Sequence, residues 1–341
     1  MSANPLSSVE QRADDLPGSK AQRDDVGATS AEHEKRQDYL QGAKLRLITA
    51  AICMVLFLSN LEIPVVTTAL VITLLIIAGL RWITFLLWER HITLRAKPQE
   101  PVFPWRFAQN REFMGTLLCS MFLGGPWICA VFQLPQRFQV VNGLTPIDAG
   151  IHFMPFTLAA PVGSVITGIL AQSAKIPPLY MVLFAAVLQV IGFALLSTLP
   201  VSQSVAPAQY GYQVIAGLGC GTTISLLTLL TPFSVQERDK AVAMGSVAQY
   251  RIIGGAVGLA IVTAGFNGLV RSRLGNVLPP SQVDSLLTAP PSLEAFPEAI
   301  QGTIRAAFGD GYNLQLKILA GLAAGQIPSA LMMWRKQQIV T

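Results

Sequence analysis

Charge is scarce in this 341-residue sequence: only 13% of its residues are Asp, Glu, Lys or Arg, roughly half the share of an ordinary globular chain. So few charges, giving a net +5 with both signs dispersed, do not make a basic nucleic-acid surface. Histidine and cysteine are scarcer still. The three histidines, His33, His91 and His152, are far apart, and the four cysteines, Cys53, Cys119, Cys129 and Cys220, show no close spacing. That excludes a zinc knuckle or a dense disulfide framework and leaves the cysteines as small apolar groups. We expect no metal and no cofactor. A catalytic reading needs a nucleophile with a base, paired carboxylates or metal ligands at one depth, and none is legible, so the chain reads as a non-enzyme.

Apolar residues fill the space: 52% of the chain is hydrophobic and its mean hydropathy is +0.50. Continuous apolar runs cover Leu47 to Leu70, Val71 to Trp88, Phe113 to Phe132, Ile151 to Leu170, Leu179 to Leu199, Gly211 to Leu230, Ala241 to Phe266 and Leu314 to Trp334. Each approaches or exceeds the roughly 20 residues a helix needs to cross a bilayer, so we expect eight spans. The runs do not alternate apolar with polar, which argues for helices over a membrane barrel. Residues 1–45 mix both charge signs with Ser, Gly and Pro; they read as a disordered tail, and as too long a leader for a cleavable signal.

With that tail in the cytoplasm, basic residues fall mostly on one side, as the positive-inside rule requires. The inner set is Lys35, Arg36, Lys44, Arg46, Arg90, Arg95, Lys97, Arg106, Arg111, Lys175, Arg238, Lys240, Arg335 and Lys336; Arg137, Arg271, Arg273 and Arg305 remain outside. Both termini are then cytoplasmic. The long outer loop, 268–312, has apolar residues at near-helical spacing after Leu293, which predicts short amphipathic helices on the membrane surface.

The glycine-rich stretch "VIAGLGCGTTISLL" lies inside a span with no strand before it, so it lacks the setting of a dinucleotide loop. Small residues four apart instead predict close helix packing: Gly217 with Gly221, Gly254 with Gly258, Gly321 with Gly325, and Ser164 with Gly168. Pro126, Pro155, Pro161 and Pro328 predict kinks or broken turns. Polar residues inside spans are costly and mark pathways by default. Glu62, Gln133, Gln213, Gln249 and Arg251 are the candidates for a substrate or proton pathway, with Arg81 near the inner end of its span. For Arg251, snorkelling to the cytoplasmic face stands beside pairing or cavity lining.

These stretches resemble the major facilitator superfamily, and within it fungal multidrug and toxin efflux pumps of the drug:proton antiporter type, similar to aflatoxin-cluster pumps. The resemblance is densest from "FPWRFAQNREF" to the carboxy terminus. It is carried by "QLPQRFQVVNGLTPIDAGIHFMPF", with Leu134, Pro135, Phe138, Gln139, Gly143, Pro146, Ala149 and Gly150 in the family's pattern, and by "YQVIAGLGCGTTISLLTLLTPFSVQERDKAVAMGSVAQYRIIGGAVGLAIVTAGFNGLVRSRL". "LSNLEIPVVTTAL" is similar to the end of the family's first helix, with Glu62 where Asp is more usual. The loop signature and glycine–proline-rich helix that follow in the family are not found; "VITLLIIAGLRWITFLLWERHITLRAKP" looks like the later helix that precedes the carboxy-terminal half.

The resemblance implies an all-α polytopic membrane protein of about eight transmembrane helices: the carboxy-terminal half of a major facilitator fold plus a first-helix remnant, with roughly six helices absent. Its expected parts are a cytoplasmic tail at 1–45, the remnant and linker helix at 46–90, a cytoplasmic loop at 91–112, and a bundle at 113–336. The implied activity is export of hydrophobic secondary metabolites, toxins or drugs by proton antiport, at the plasma membrane. The alternative is a truncated, transport-incompetent membrane protein, a pseudogene product or a partner of an intact pump. Implied partners are the lipid bilayer, a small hydrophobic substrate and protons, with homodimerisation as an option and no nucleic acid.

Overall fold

The structure is a computed structural model of the full chain, and it describes residues 68–94, 103–173, 177–288 and 296–334. The chain divides into two units, Met1–Val65 and Val66–Thr341, and the described residues all belong to the second. The tail, the first apolar run up to Thr67, and with it Glu62, lie outside the described residues.

The helices are α1 (Thr68–Leu94), α2 (Trp105–Gln109), α3 (Arg111–Val140), α4 (Pro146–Ser173), α5 (Pro178–Leu196), α6 (Ala208–Leu230), α7 (Lys240–Leu274), α8 (Pro280–Thr288) and α9 (Glu298–Leu331). No strand occurs among the described residues. Polar punctuation sets the ends of the apolar runs. Asn110 caps α3, its side chain accepting from the amides of Glu112 at 3.1 Å and Phe113 at 3.3 Å, which satisfies donors the helix cannot. At the other end Gly143, at φ 69°, closes the helix: its amide donates to Gln139 O and that of Leu144 to Phe138 O. This is a closure that favours glycine because of the left-handed backbone. Two residues later Thr145 caps α4, accepting from the Asp148 amide while its hydroxyl donates to the Asp148 carboxylate, with Pro146 at the first helical position.

Six long helices form the bundle. α6 packs between α4 and α5, α3 packs against α7 and α9, and α9 also touches α5 and α7. A core of Phe113, Leu117, Leu123, Phe156, Val182, Phe193, Leu226, Leu227 and Leu319 fills the interior. Where backbones approach most closely there is no room for side chains. A Cβ on Gly258 would lie 2.6 Å from the Cα of Gly125, one on Gly217 2.5 Å from the carbonyl oxygen of Phe156, and ones on Gly254 and Gly221 against the backbones of Met121 and Ala160. Thus Gly254 and Gly258 face α3, while Gly217 and Gly221 face α4. Gly325 faces the ring of Phe122. Gly321, expected to share that contact, does not: a Cβ there would meet nothing within 4 Å, and the same holds for Gly168. Spacing of four puts two residues on one side of a helix, but a neighbour that crosses at an angle covers only one of them. The helices run unbroken through Pro126, Pro135, Pro155, Pro161 and Pro328.

Among the described residues five helices are long and apolar enough to cross a membrane: α3, α4, α5, and the segments Ala208–Phe233 and Glu237–Leu274 built on α6 and α7. The expected eighth span lies within α9, which falls short by that measure. Its diluting residues include Gln315 and Gln326, both buried inside the bundle, so hydropathy counts against α9 side chains that lipid never meets. The expected second span lies in α1, whose Ile76, Leu80, Ile83, Leu87 and Trp88 are exposed. On the bundle itself Ile151, Met154, Leu158, Val162, Val165 and Ile169 make an exposed stripe along α4, and Tyr180, Phe184, Val187 and Ile191 another on α5. Apolar surface on this scale belongs against lipid.

The bundle's two ends differ. The distal end carries residues 141–145, 197–207, 275–288 and 296–297; the proximal end carries 103–110, 231–239 and Trp334. At the distal end α7 and α9, of 35 and 34 residues, are each about 50 Å long, well beyond the roughly 30 Å hydrocarbon layer. Their extensions form a second core in which Phe266, Val270, Leu274, Phe308 and Tyr312 pack with Val283 and Leu286 of α8. The apolar face of α8 is therefore turned onto protein, and the described residues after Leu293, where the sequence had pointed to short amphipathic helices on a membrane surface, instead open the long α9, whose Ile304, Ala307 and Phe308 join the same core. Arg271 with Asp284 at 3.0 Å and Arg273 with Asp310 at 3.5 Å bridge its outside. At the proximal end Arg106 of α2 grips the buried Asp239 with two nitrogens, one at 2.6 Å, and the Asn110 amide donates to Ser234 O at 2.6 Å. The segment entering the bundle is thereby fixed to the turn between α6 and α7.

Candidate functional site

Two sets of polar side chains lie inside the bundle, and they differ in whether their hydrogen bonds are met. The first ties α5, α6 and α9 together at the centre. Gln189 Nε2 donates to Thr223 Oγ1 at 2.8 Å, to Gly219 O at 3.2 Å and to Gln326 Oε1 at 3.2 Å, and Gln326 Nε2 returns a bond to Gln189 Oε1 at 2.8 Å. Gln189, Thr223 and Gln326 are wholly buried. With each amide answered, this set works as a clasp.

The second set lies at the distal end and is not satisfied. Arg137, expected in an outer loop, sits in the last turn of α3 at 2% exposure. Its two hydrogen bonds, to Gln209 Oε1 and to Pro200 O, are both 3.5 Å long, the outer limit of such a bond. No carboxylate lies within ion-pair distance of it among the described residues. α3 and α6 run antiparallel, since three reversals separate them. One turn inward from Arg137 is Gln133, and one turn inward from Gln209 is Gln213, so Gln133 and Gln213 lie one level deeper than Arg137 and Gln209. Gln133 is 7% exposed and Gln213 is fully buried. Eight buried side-chain atoms lack a partner among the described residues: Arg137 Nε, Asn142 Oδ1, Gln209 Nε2, both amide atoms of Gln213, Arg305 Nε, Asn313 Oδ1 and Gln315 Oε1. They gather toward the distal end of the bundle. A row of rings begins beside Arg137, where Phe138 stands 5.6 Å from His152 and His152 5.9 Å from Tyr210.

The energetics make this arrangement unusual. A buried ion without a counter-charge costs several kcal/mol after relaxation, and each unpaired buried polar group about 1–3 kcal/mol. The carbonyl end of α3 offsets about 2 kcal/mol at most. A site that retains such a deficit is organised around something that completes it.

The remaining candidates are placed differently. Gln249 is exposed on α7. Arg251 is half-buried eleven residues into α7, about 16 Å along the axis from Lys240, with no ion pair among the described residues. Arg81 is exposed on α1. Of the four described pathway candidates, Gln133 and Gln213 are the buried ones, each one turn inward on its helix from Arg137 or Gln209. One signal for them was available: Gln133 and Arg137 are four apart in "QLPQRFQ", as are Gln209 and Gln213 in "AQYGYQ", the spacing of one helix face. Among the described residues no group of three or more His, Cys, Asp or Glu can hold a metal ion.

Unbroken apolar helices with continuous exposed apolar stripes define an all-α polytopic integral membrane protein. Residues 45–259 match the family model described as Major Facilitator Superfamily, and the chain belongs to that family. It is 36% identical over 267 residues to the MFS-type transporter FPY5 of Fusarium mangiferae, covering 78% of this chain and 45% of that protein. It is 29% identical over 194 residues to the efflux pump apf11 of Gibberella fujikuroi, covering 56% and 34%. To the multidrug transporter protein MdtP of Bacillus subtilis it is 27% identical over 239 residues, covering 70% and 42%. The matched segments span less than half the length of each of these relatives.

Proposed function

We propose that this chain serves an export transporter of the major facilitator type, contributing the bundle that corresponds to the family's carboxy-terminal half. The exported molecules are hydrophobic secondary metabolites, toxins or drugs, and protons entering the cell drive the cycle. The observation that carries this reading is the unsatisfied polar cluster inside an otherwise apolar bundle, a setting suited to a ligand with an apolar body and one polar feature. The printed names of the relatives, transporter and efflux pump, support the direction of transport. The location proposed is the plasma membrane, with both termini cytoplasmic and the distal end outside, in keeping with the charge asymmetry of the loops.

A second reading is a transport-incompetent membrane protein or a partner of an intact pump. It is favoured by the single six-helix bundle among the described residues, because alternating access in this family works by one bundle rocking against another. Export of a fluorescent hydrophobic dye from sealed vesicles under an imposed pH gradient separates the two. Gradient-driven export that is lost on Glu62→Gln supports the transporter; none, from vesicles in which the chain has inserted, supports the second reading.

A further inference from the structure

We propose that Arg137, with Gln209 and Gln213, forms a recognition site for one negative charge on an organic ligand, a carboxylate or an ionised enol attached to an apolar body. This rests on the proposed function and deepens it by naming the substrate class. Three observations carry it. The guanidinium is 2% exposed and, among the described residues, has no carboxylate within ion-pair distance; its two hydrogen bonds go to neutral oxygens at 3.5 Å. Beside it, three of the unpartnered buried atoms are nitrogens that donate: Arg137 Nε, Gln209 Nε2 and Gln213 Nε2. Water satisfies amides but does not neutralise a charge, whereas a carboxylate does both, since it accepts through two oxygens with about four lone-pair sites. Finally, the rings of Phe138, His152 and Tyr210, edge-on or tilted to one another, link α3, α4 and α6 beside Arg137 and Gln209 in the chain, an aromatic neighbourhood for the apolar body of the ligand. The centre of the bundle offers no comparable place, because the Gln189–Gln326 clasp has no unpartnered atom.

The test is equilibrium binding to the purified full chain in lipid nanodiscs, using 1-pyrenebutyrate and its uncharged amide, 1-pyrenebutyramide, as probes. The acid is expected to bind about tenfold or more tightly than the amide, the scale of one charge-assisted contact. Arg137→Gln is expected to bring the two within about twofold, and Gln213→Leu to weaken the acid selectively. Arg273→Gln, at a distal arginine that is 62% exposed, is the matched control and keeps the preference. Equal binding of both probes to the wild-type chain overturns the proposal without need of any variant, as does a preference that survives Arg137→Gln. Dye export without charge-selective binding sinks this proposal and leaves the transporter standing. Charge-selective binding in vesicles that do not export sinks the transport reading and leaves the site.

Discussion

Gln189 and Gln326 are 137 positions apart and yet each is the other's partner. Losing one leaves the other buried and unanswered, and an unpaired buried amide costs more than a hydrogen bond contributes. Gln189→Leu alone is therefore expected to lower stability by about 1–2 kcal/mol, and Gln189→Leu with Gln326→Leu by less than the sum of the single changes. Thermal unfolding of the purified single and double variants checks this: additive losses refute a mutual clasp. Nothing in the sequence announces such a pair, because the signal is a meeting of two helices rather than a spacing within one. Arg137 was hidden for a different reason. Counting charges by loop assigned it to the outside, and only packing shows that α3 continues past it to Val140 with the guanidinium turned inward.

Helix α7 owes its place to glycines, and here the sequence was legible in part. Small residues four apart marked Gly254, Gly258, Gly217 and Gly221, each of which meets a neighbouring backbone, and marked Gly321 too, which meets nothing. What the pattern lacks is the crossing angle, a property of two helices. Gly258→Leu drives a side chain into Gly125, a Cβ alone being at 2.6 Å from its Cα, and overpacking of this kind costs about 1–3 kcal/mol or more. Gly321→Leu adds its side chain to open space and is expected to leave the unfolding temperature within about 2 °C of the wild type. Equal losses for the two variants mean that the α3–α7 contact is not the tight one. The same reasoning explains the shortfall of α9. A window of sequence treats Gln315 and Gln326 as polar surface, although both are covered by other helices.

For the whole molecule the first expectation is topological. If the distal end is outside, a cysteine introduced at the exposed Ser281, with Cys53→Ser as background, reacts with an impermeant label from outside intact cells; labelling only after permeabilisation reverses the proposed orientation. The buried Cys119, Cys129 and Cys220 do not interfere. The second concerns transport by this chain alone: under the second reading the expected outcome is insertion as a helical bundle with no more gradient-driven export than empty vesicles. Alternating access needs a second bundle to close one side while the other opens, and the described helices close on each other around one core. A proton-accepting carboxylate at Glu62 does not by itself make a pump, because coupling requires proton and substrate to bias the same two conformations. A second copy of the chain is the remaining source of a partner bundle. The paired glycines are not free to form its seam, since Gly217, Gly221, Gly254 and Gly258 are already covered within the bundle. A dimer would have to use an exposed stripe instead, of which Ile151, Leu158, Val162 and Val165 on α4 make the most continuous. Vigorous export from vesicles holding only this chain, abolished by Glu62→Gln and weakened by Leu158→Trp, would overturn the expectation and place the second bundle across α4.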